Sequence, residues 1–599
     1  MGKNHHIFLS GIFLGLAANF NFIVSYVGAV NHALSVSFVF AAIFFSFFVC
    51  IKKFVGIAFS GLKPERLIFL VILLFLFINL LFCFLPPVEK DELNHHLAFP
   101  KLYLLSQDIF TINEAPYSFY PVLMQMLYMP WLSLGWDYGA KLTHFLFALM
   151  TGLLIYNYLA EKINKNIASF ALLTFISTPI IQKLSHTAYA DLALIFYGFA
   201  GLLALLYWKE SPGERKLLCY SAMCCGFALC SKPNGMLLVF IIGIFLLSIL
   251  LSLKRESLSA KVRHLFVFLL LTCLCTAPWY YRNIAEKNNP FYPQFKSIFN
   301  PEEKPDTIHE TDITTKLFVY RMNVYGESLL EVLLVPLRVF IDGEDGNARK
   351  FDGVFSPLLL VFLFWAFKGE GRKNRIYISL FTIGYFCAAL YLAGVRARYL
   401  SPAVPGFVML SALGLHNLYN LSKHQIIINT AISLLVAWNF YYTLQNFNKY
   451  RFVDYFFADQ TREEYLSSRM SSFDALEFSN QNLPEDAKVY LVFTGRQIYY
   501  LDRDFYFDET EFPLLLVNAI KELKADDLIL EALHEKGITH LLLRDGLFAR
   551  YFSNNLKPEE LAVWQQFYEK HLRLLYRERG YSVLEIRQET FPLKSRFID

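Results

Sequence analysis

The feature that most limits what this chain can fold into is the blocking of its apolar residues into long runs: Leu67 to Leu85 passes without a single charged residue. Runs of about 18 or more such residues match the hydrocarbon thickness of a bilayer, where a helix satisfies every backbone hydrogen bond internally. Composition agrees, with 55% hydrophobic residues and only 18% charged, against about a quarter charged in a soluble domain. The chain reads as a mostly α, polytopic membrane protein.

The apolar runs give about thirteen transmembrane spans: 7–29, 33–51, 67–86, 142–159, 167–184, 191–208, 217–231, 235–253, 263–281, 354–368, 374–394, 399–420 and 425–445. The first run lacks a small-residue cleavage site and is followed directly by a second, so it reads as a retained span. Cytoplasmic loops are enriched in Lys and Arg. With the N-terminus inside, the inward loops carry clusters such as Lys52, Lys53, Lys63 and Arg66, then Lys254, Arg255, Lys261 and Arg263, whereas the short outward loops hold Lys183, Lys232, Arg396 and Arg398. That assignment places the chain in the inner (plasma) membrane with its C-terminus outside, periplasmic or extracellular. A transmembrane domain over 1–447 would then carry two large outward loops, 87–141 and 282–353, and a soluble domain over 448–599. The charged tail alternates candidate strands (489–493, 538–543, and a hairpin of 572–576 with 582–586) with helical stretches, the pattern of a small α/β domain. The nine cysteines all lie in apolar segments, which argues against a disulfide framework. A net charge of +4 gives no reason to expect nucleic acid as a partner.

Candidate chemistry concentrates in "PPVEKDELNHHLAFPKLYL" after the third span. On a helix, Asp91 would face His95 and Glu92 would face His96, and a carboxylate partly desolvated at the membrane boundary suits a general base. The same residues serve equally as a solvated helix start, with acids favouring its dipole. His95 and His96 with the two carboxylates leave a divalent metal open, without a nameable third ligand. Asp191, preceded by His186 and Tyr189, opens the sixth span as a second acidic site or as a plain helix cap. Lys232, Arg282, Arg396 and Arg398 break the positive-inside trend at span ends. Charge at such depth is usually paired and functional, and such cations suit a lipid phosphate; the alternative is snorkelling to headgroups.

In order, "DELNHHLAFPKLYL", "AYADLALIFY", "SKPNG", "APWYYRNIAEKNNPFYP" and "RARYLSPAVP" resemble the motifs of the type-C membrane glycosyltransferases, in particular the protein O-mannosyltransferase and aminoarabinose-transferase superfamily (glycosyltransferase family 39-like), over roughly residues 67 to 420. The resemblance implies an inverting transfer of a sugar from a polyprenyl-phosphate donor to a lipid, glycan or protein acceptor. Asp91 would be the catalytic base beside Glu92, and Asp191 a second acidic residue. Lys232, Arg282, Arg396 and Arg398 would hold the donor phosphate, with His95, His96, His186 and Tyr189 as an acceptor or metal neighbourhood. It further implies that no cofactor is required. Two spans precede the one leading to the acidic loop, where the family often has one, and the His95-His96 pair is not typical of it. A secondary transporter would instead place its charges near the bilayer midplane in repeated halves, and a surface-polysaccharide polymerase or ligase would rely on an outward His or Arg.

Overall fold

In the computed structural model, residues 2–60, 63–112, 115–302, 313–368, 372–392, 395–508, 512–523 and 526–587 are described. The end of the expected span 374–394, part of the loop 282–353 and the end of the tail lie outside them. The chain divides into two compact units: Met1–Pro87 with Pro100–Phe110 and Phe119–Val453, and Val88–Phe99 with Thr111–Ser118 and Asp454–Asp599.

The first unit is helical. Eight described helices are long and apolar enough to cross a membrane, or nine if the bent pair Lys165–Ser177 and Pro179–Ser185 is one span. The Asp191–Glu210 helix is buried throughout, whereas Leu258–Lys287 and Gln425–Lys449 bury only 22% and 17% of their apolar windows. The uncovered faces carry large apolar side chains, among them Phe266, Leu269 and Leu274 on one helix and Ile427, Leu434 and Trp438 on the other. Such residues sit comfortably against lipid tails, so burial alone does not drive the helices together. Close approach and interhelical hydrogen bonds do. At Gly226 a Cβ would come within 2.5 Å of the Cys275 Cβ and 2.9 Å of the Thr272 carbonyl, which brings Arg215–Ser231 and Leu258–Lys287 into backbone contact. Buried amides tie further helices: Asn157 Nδ2 donates to Asn4 Oδ1 at 3.0 Å, and Asn4 Nδ2 to the Tyr207 hydroxyl at 3.2 Å.

The expected span at 354–368 is not one regular helix. Two short 3₁₀ pieces, Pro357–Leu359 and Leu363–Phe367, make the passage. Phe351 accepts from the amide of Ala397, beyond the end of the Arg372–Leu392 helix, and Ala366 accepts from Arg375 near that helix's start. A 3₁₀ turn rises about 2.0 Å per residue against 1.5 Å in an α-helix, so a short run covers more depth. Irregular backbone at this depth survives where protein satisfies it. Here Ser411 and Asn417 of the Val404–Leu421 helix donate to the carbonyls of Leu358 and Trp365 at 2.9 and 2.8 Å.

The second unit is a five-stranded sheet in the order β2-β1-β3-β5-β4, with β1 Lys488–Val492, β2 Asp504–Tyr506, β3 His540–Arg544, β4 Leu572–Glu578 and β5 Tyr581–Ile586. β1 pairs in parallel with both β2 and β3, and β5 pairs antiparallel with β3 and β4. Parallel neighbours need a crossover, supplied between β2 and β3 by the helices Leu514–Leu523 and Asp526–Glu535. Alternate residues Tyr490 and Val492, Leu541 and Leu543, and Leu584 and Ile586 meet Ile520, Ile529 and Phe567 of the covering helices in one core, while Val489, Leu491, Leu542 and Val583 are buried on the opposite face, the period-2 alternation of a strand. The hairpin, the helix at Pro558–His571 and the strands near 489 and 538 match the sequence reading, while β2 and the Asp545–Asn555 helix were not anticipated.

Candidate functional site

The acidic segment belongs to the second unit. It folds as a π-turn over Glu92–His96, with the amide of Leu97 donating to the carbonyl of Glu92 at 2.9 Å, rather than as the expected α-helical turn. Such turns are rare and frequent at functional sites. The wider turn changes which side chains meet. Glu92 is buried and its Oε2 accepts from the amide of Glu89 at 3.1 Å. The rings of His95 and His96 lie 4.1 Å apart, and His95 packs on Tyr117 at 5.2 Å. Asp91, at the N-cap, makes no side-chain capping bond and is half-buried. The Leu93 carbonyl accepts from the amide of Tyr499 at 3.0 Å, tethering the segment to the sheet domain. Burial pushes the neighbouring Tyr465 phenol up; Arg469 opposes this, and the Glu92 and Glu89 carboxylates add to it.

In the first unit the structure brings Asp191, Lys232, Arg398 and Tyr189 together. Asp191 opens its helix, yet its carboxylate does not cap it. Lys232 Nζ donates to both carboxylate oxygens at 2.7 Å, with the side chains 3% and 17% exposed. Lys232 is the C-cap of Arg215–Ser231 and is followed by Pro233, so a chain end that must stop presents a cation where a carbonyl-rich terminus favours one. The same Nζ lies 5.8 Å from the centre of the Tyr399 ring. Arg398 stacks on that ring at 5.0 Å and on Tyr189 at 5.5 Å. The two cations therefore share one aromatic wall.

Ala190 holds the N-cap position and has no polar side chain; the side chain that serves this helix start is His144, which the sequence reading missed. His144 is fully buried; its Nε2 accepts from the amide of Leu192 at 2.9 Å, and its Nδ1 faces the carbonyls of Leu184 and Thr187 at 2.9 and 2.7 Å. These partners fix the tautomer with the proton on Nδ1. A lone histidine within an otherwise apolar run was the only signal available.

Arg282 has partners of its own. It is fully buried, donating from Nη2 to the Phe119 carbonyl at 2.7 Å and to Asn283 Oδ1 at 3.1 Å, with its guanidinium 5.9 Å from the Phe22 ring. Its Nη1 has no hydrogen-bond partner among the described residues, and a desolvated guanidinium nitrogen without an acceptor costs on the order of 1–3 kcal/mol or more. Arg396 goes elsewhere: it is 44% exposed and 3.8 Å from Asp352. It lies at the edge of a network in which Asp345 accepts from Tyr442 and Lys449 at 2.7 and 3.0 Å and pairs with Lys183 at 3.3 Å. His186 is not beside Asp191 either. It is buried against Phe82 and Tyr450, with neither ring nitrogen hydrogen-bonded.

Among the described residues, the group of carboxylates and imidazoles close enough to hold a metal is Asp526, Asp527 and His571, not the His95-His96 segment. Lys570 already donates to both of those carboxylates, at 3.1 and 2.8 Å, which makes the trio a poor cation site.

Comparisons with known proteins follow this geometry. The family model described as dolichyl-phosphate-mannose-protein mannosyltransferase matches residues 134–299, the stretch that holds Asp191, Lys232 and Arg282. No curated protein sequence matches the chain. The fold is similar to that of ArnT from Cupriavidus metallidurans. The apo structure aligns at a TM-score of 0.53 with 14% identity, over 86% of this chain and 97% of ArnT. The structure bound to undecaprenyl phosphate aligns at 0.51 with 15% identity over the same shares. The resemblance drawn from the ordered motifs thus recurs independently in a family model and in a shared fold.

Proposed function

We propose that this chain is a membrane glycosyltransferase that moves a sugar from a polyprenyl-phosphate donor to an acceptor nucleophile on the outer face of the membrane. The observation that carries this reading is the arrangement within the family-matched stretch. There a buried carboxylate-lysine pair closes a helix end, and a fully buried arginine keeps one nitrogen unbonded among the described residues; Arg398, from beyond that stretch, shares the lysine's aromatic wall. Undecaprenyl phosphate in the ArnT relative supports a lipid phosphate as the matching ligand.

In this reading Asp91 accepts the proton of the acceptor hydroxyl or amine as that atom attacks the anomeric carbon. The bond from that carbon to the phosphate oxygen breaks on the opposite face, which inverts the configuration. The electron pair stays on the lipid phosphate, whose growing charge meets Lys232, Arg282 and Arg398, with Arg396 farther out. Fixed cations aimed at developing charge commonly supply the largest part of a rate enhancement. Glu92, locked by the Glu89 amide, holds the turn that presents Asp91. Asp191 keeps Lys232 in place and is released from it when the donor phosphate competes. The orientation follows the charge bias of the loops: N-terminus cytoplasmic, sheet domain outside, in the inner membrane of a cell with an envelope to glycosylate.

The test is purified wild type and Asp91→Asn incubated with a panel of polyprenyl-phosphate sugars, following release of lipid phosphate. Wild type is expected to cleave one member of the panel while Asp91→Asn binds it without turnover. Full turnover by Asp91→Asn overturns the assignment of the base, and cleavage of no donor by wild type overturns the reaction class.

A further inference from the structure

The sheet domain contains a crevice that the transfer reaction does not call on. Its position follows from topology. The chain leaves β1 at Val492 and turns to one side to form β2, then crosses to the other side to form β3, so the order β2-β1-β3 reverses direction at β1. In parallel sheets, loops that diverge at such a reversal leave a ligand crevice beyond the carboxyl ends of the strands. A cavity of about 350 Å³ lies there, lined by residues that follow β1, β2 and β3 and by Val88 and Lys90 of the acidic segment. That volume is at the small end of ligand pockets, which run from roughly 300 to 1,000 Å³.

The lining is cationic: Lys90, Arg469, Arg496 and Arg544 all face the cavity. Arg496 is held in place, stacked 4.8 Å over Phe507 and donating from Nη2 to the Asp508 carbonyl at 2.6 Å, while its Nε has no acceptor among the described residues. Arg544 sits at the end of β3, its guanidinium 6.0 Å from the Tyr581 ring. Among the described residues, the one carboxylate in the wall is Asp508, and it is already engaged. Its Oδ1 accepts from the amide of Leu515 at 3.0 Å and its Oδ2 from the Tyr490 hydroxyl. An independent observation points to a ligand. Thr494 is 5% exposed, lines the cavity, and its hydroxyl has no hydrogen-bond partner among the described residues. Buried hydroxyls are nearly always satisfied. The turn that carries it bends through positive φ at Phe493, Gly495 and Arg496, at 56°, 73° and 57°, a backbone that only Gly adopts without cost. Gly495 is also where the turn meets the acidic segment, since a Cβ there would lie 3.9 Å from Lys90 Cε.

We propose that this crevice is an oxyanion-binding site for a small, hydroxyl-rich acid, a phosphorylated or carboxylated sugar, whose anionic group sits between Arg496 and Arg544 and whose hydroxyl or oxyanion engages Thr494. Lys90 contributes from the segment that carries Asp91, so an occupied site ties that segment to the β1 turn. The site stands whether or not the chain transfers sugars.

The experiment is calorimetric titration of the full chain in detergent with glucose 1-phosphate, glucuronate and neutral glucose. It is run on wild type, Arg496→Gln, Arg544→Gln, Thr494→Val and the surface variant Lys90→Gln, which leaves the fold intact. Wild type is expected to bind at least one of the two acids and not glucose. Binding should weaken at least tenfold in the two arginine variants, severalfold in Thr494→Val and Lys90→Gln, and progressively with added salt. The acid that binds tells phosphate from carboxylate as the source of the anion. Absence of binding by both acids, or undiminished binding in Arg544→Gln and Lys90→Gln, overturns the proposal. Donor cleavage is measured separately, so a failed transfer reaction leaves this result standing.

Discussion

Removing the charges of Asp191 and Lys232, singly and together, separates the worth of their pair from the cost of breaking it. At 2.7 Å and an effective dielectric of about 20, the Coulomb attraction is on the order of 6 kcal/mol. Desolvation takes back several kcal/mol per ion, so the intact pair contributes little net stability, whereas loss of one partner costs roughly 3–5 kcal/mol. The two singles are not equivalent. Lys232→Met strands a carboxylate that is 3% exposed, while Asp191→Asn strands a lysine that is 17% exposed on a flexible stem able to reach water. Thermal unfolding midpoints in detergent should therefore fall in the order wild type, double variant, Asp191→Asn, Lys232→Met. The double variant should recover about 2 kcal/mol or more relative to the sum of the singles, the coupling a double-mutant cycle isolates. If the pair also serves the donor, the double variant regains stability without regaining turnover. Additive singles, or a Lys232→Met variant as stable as wild type, would refute the reasoning that this is a desolvated, mutually dependent pair.

Three other outcomes follow from the structure. Arg282→Gln should weaken binding of undecaprenyl phosphate, read by competition or thermal shift, by at least tenfold, since it withdraws a charge from a fully buried position with an unused nitrogen. Gly226→Ala should cost about 1–3 kcal/mol by overpacking, because its Cβ would meet Cys275 at 2.5 Å and the rigid Thr272 carbonyl at 2.9 Å; detergent unfolding checks it. Burial raises the Asp508 carboxyl above the usual aspartate range, against hydrogen bonds from Tyr490 and the amides of Leu515 and Leu514. A folded-state value above the unfolded one means its contribution is greatest at low pH and is lost as pH rises through the raised value. Asp508→Asn should therefore flatten the decline in stability of the sheet domain as pH rises above the ordinary aspartate range, followed by hydrogen exchange of the sheet strands in the full chain.

What could be read from the sequence tracks the range of the interactions involved. The Asp191–Glu210 helix and its buried neighbours were legible because the unbroken apolar run from Leu192 to Trp208 leaves a bilayer-spanning helix as the one economical backbone. The hairpin at Leu572–Glu578 and Tyr581–Ile586 was legible because alternation and the Arg579-Gly580 turn are local signals. The span at 354–368 was apolar enough to find, but its 3₁₀ geometry depends on Ser411 and Asn417 arriving from another helix to satisfy its carbonyls, and nothing within the segment announces them. The same holds at the candidate site. Asp191 and Lys232 could each be singled out as a charge at a span end, but their pairing is a contact between residues 41 apart. The helix start is satisfied separately: Ala190 holds the N-cap position, and the Leu192 amide donates to His144 of a third helix. The Asp191 carboxylate is thereby left to Lys232, a pairing that helix capping does not explain. That pairing, rather than the presence of an acid at a helix start, is the physical reason to test the two residues for a role at a lipid phosphate.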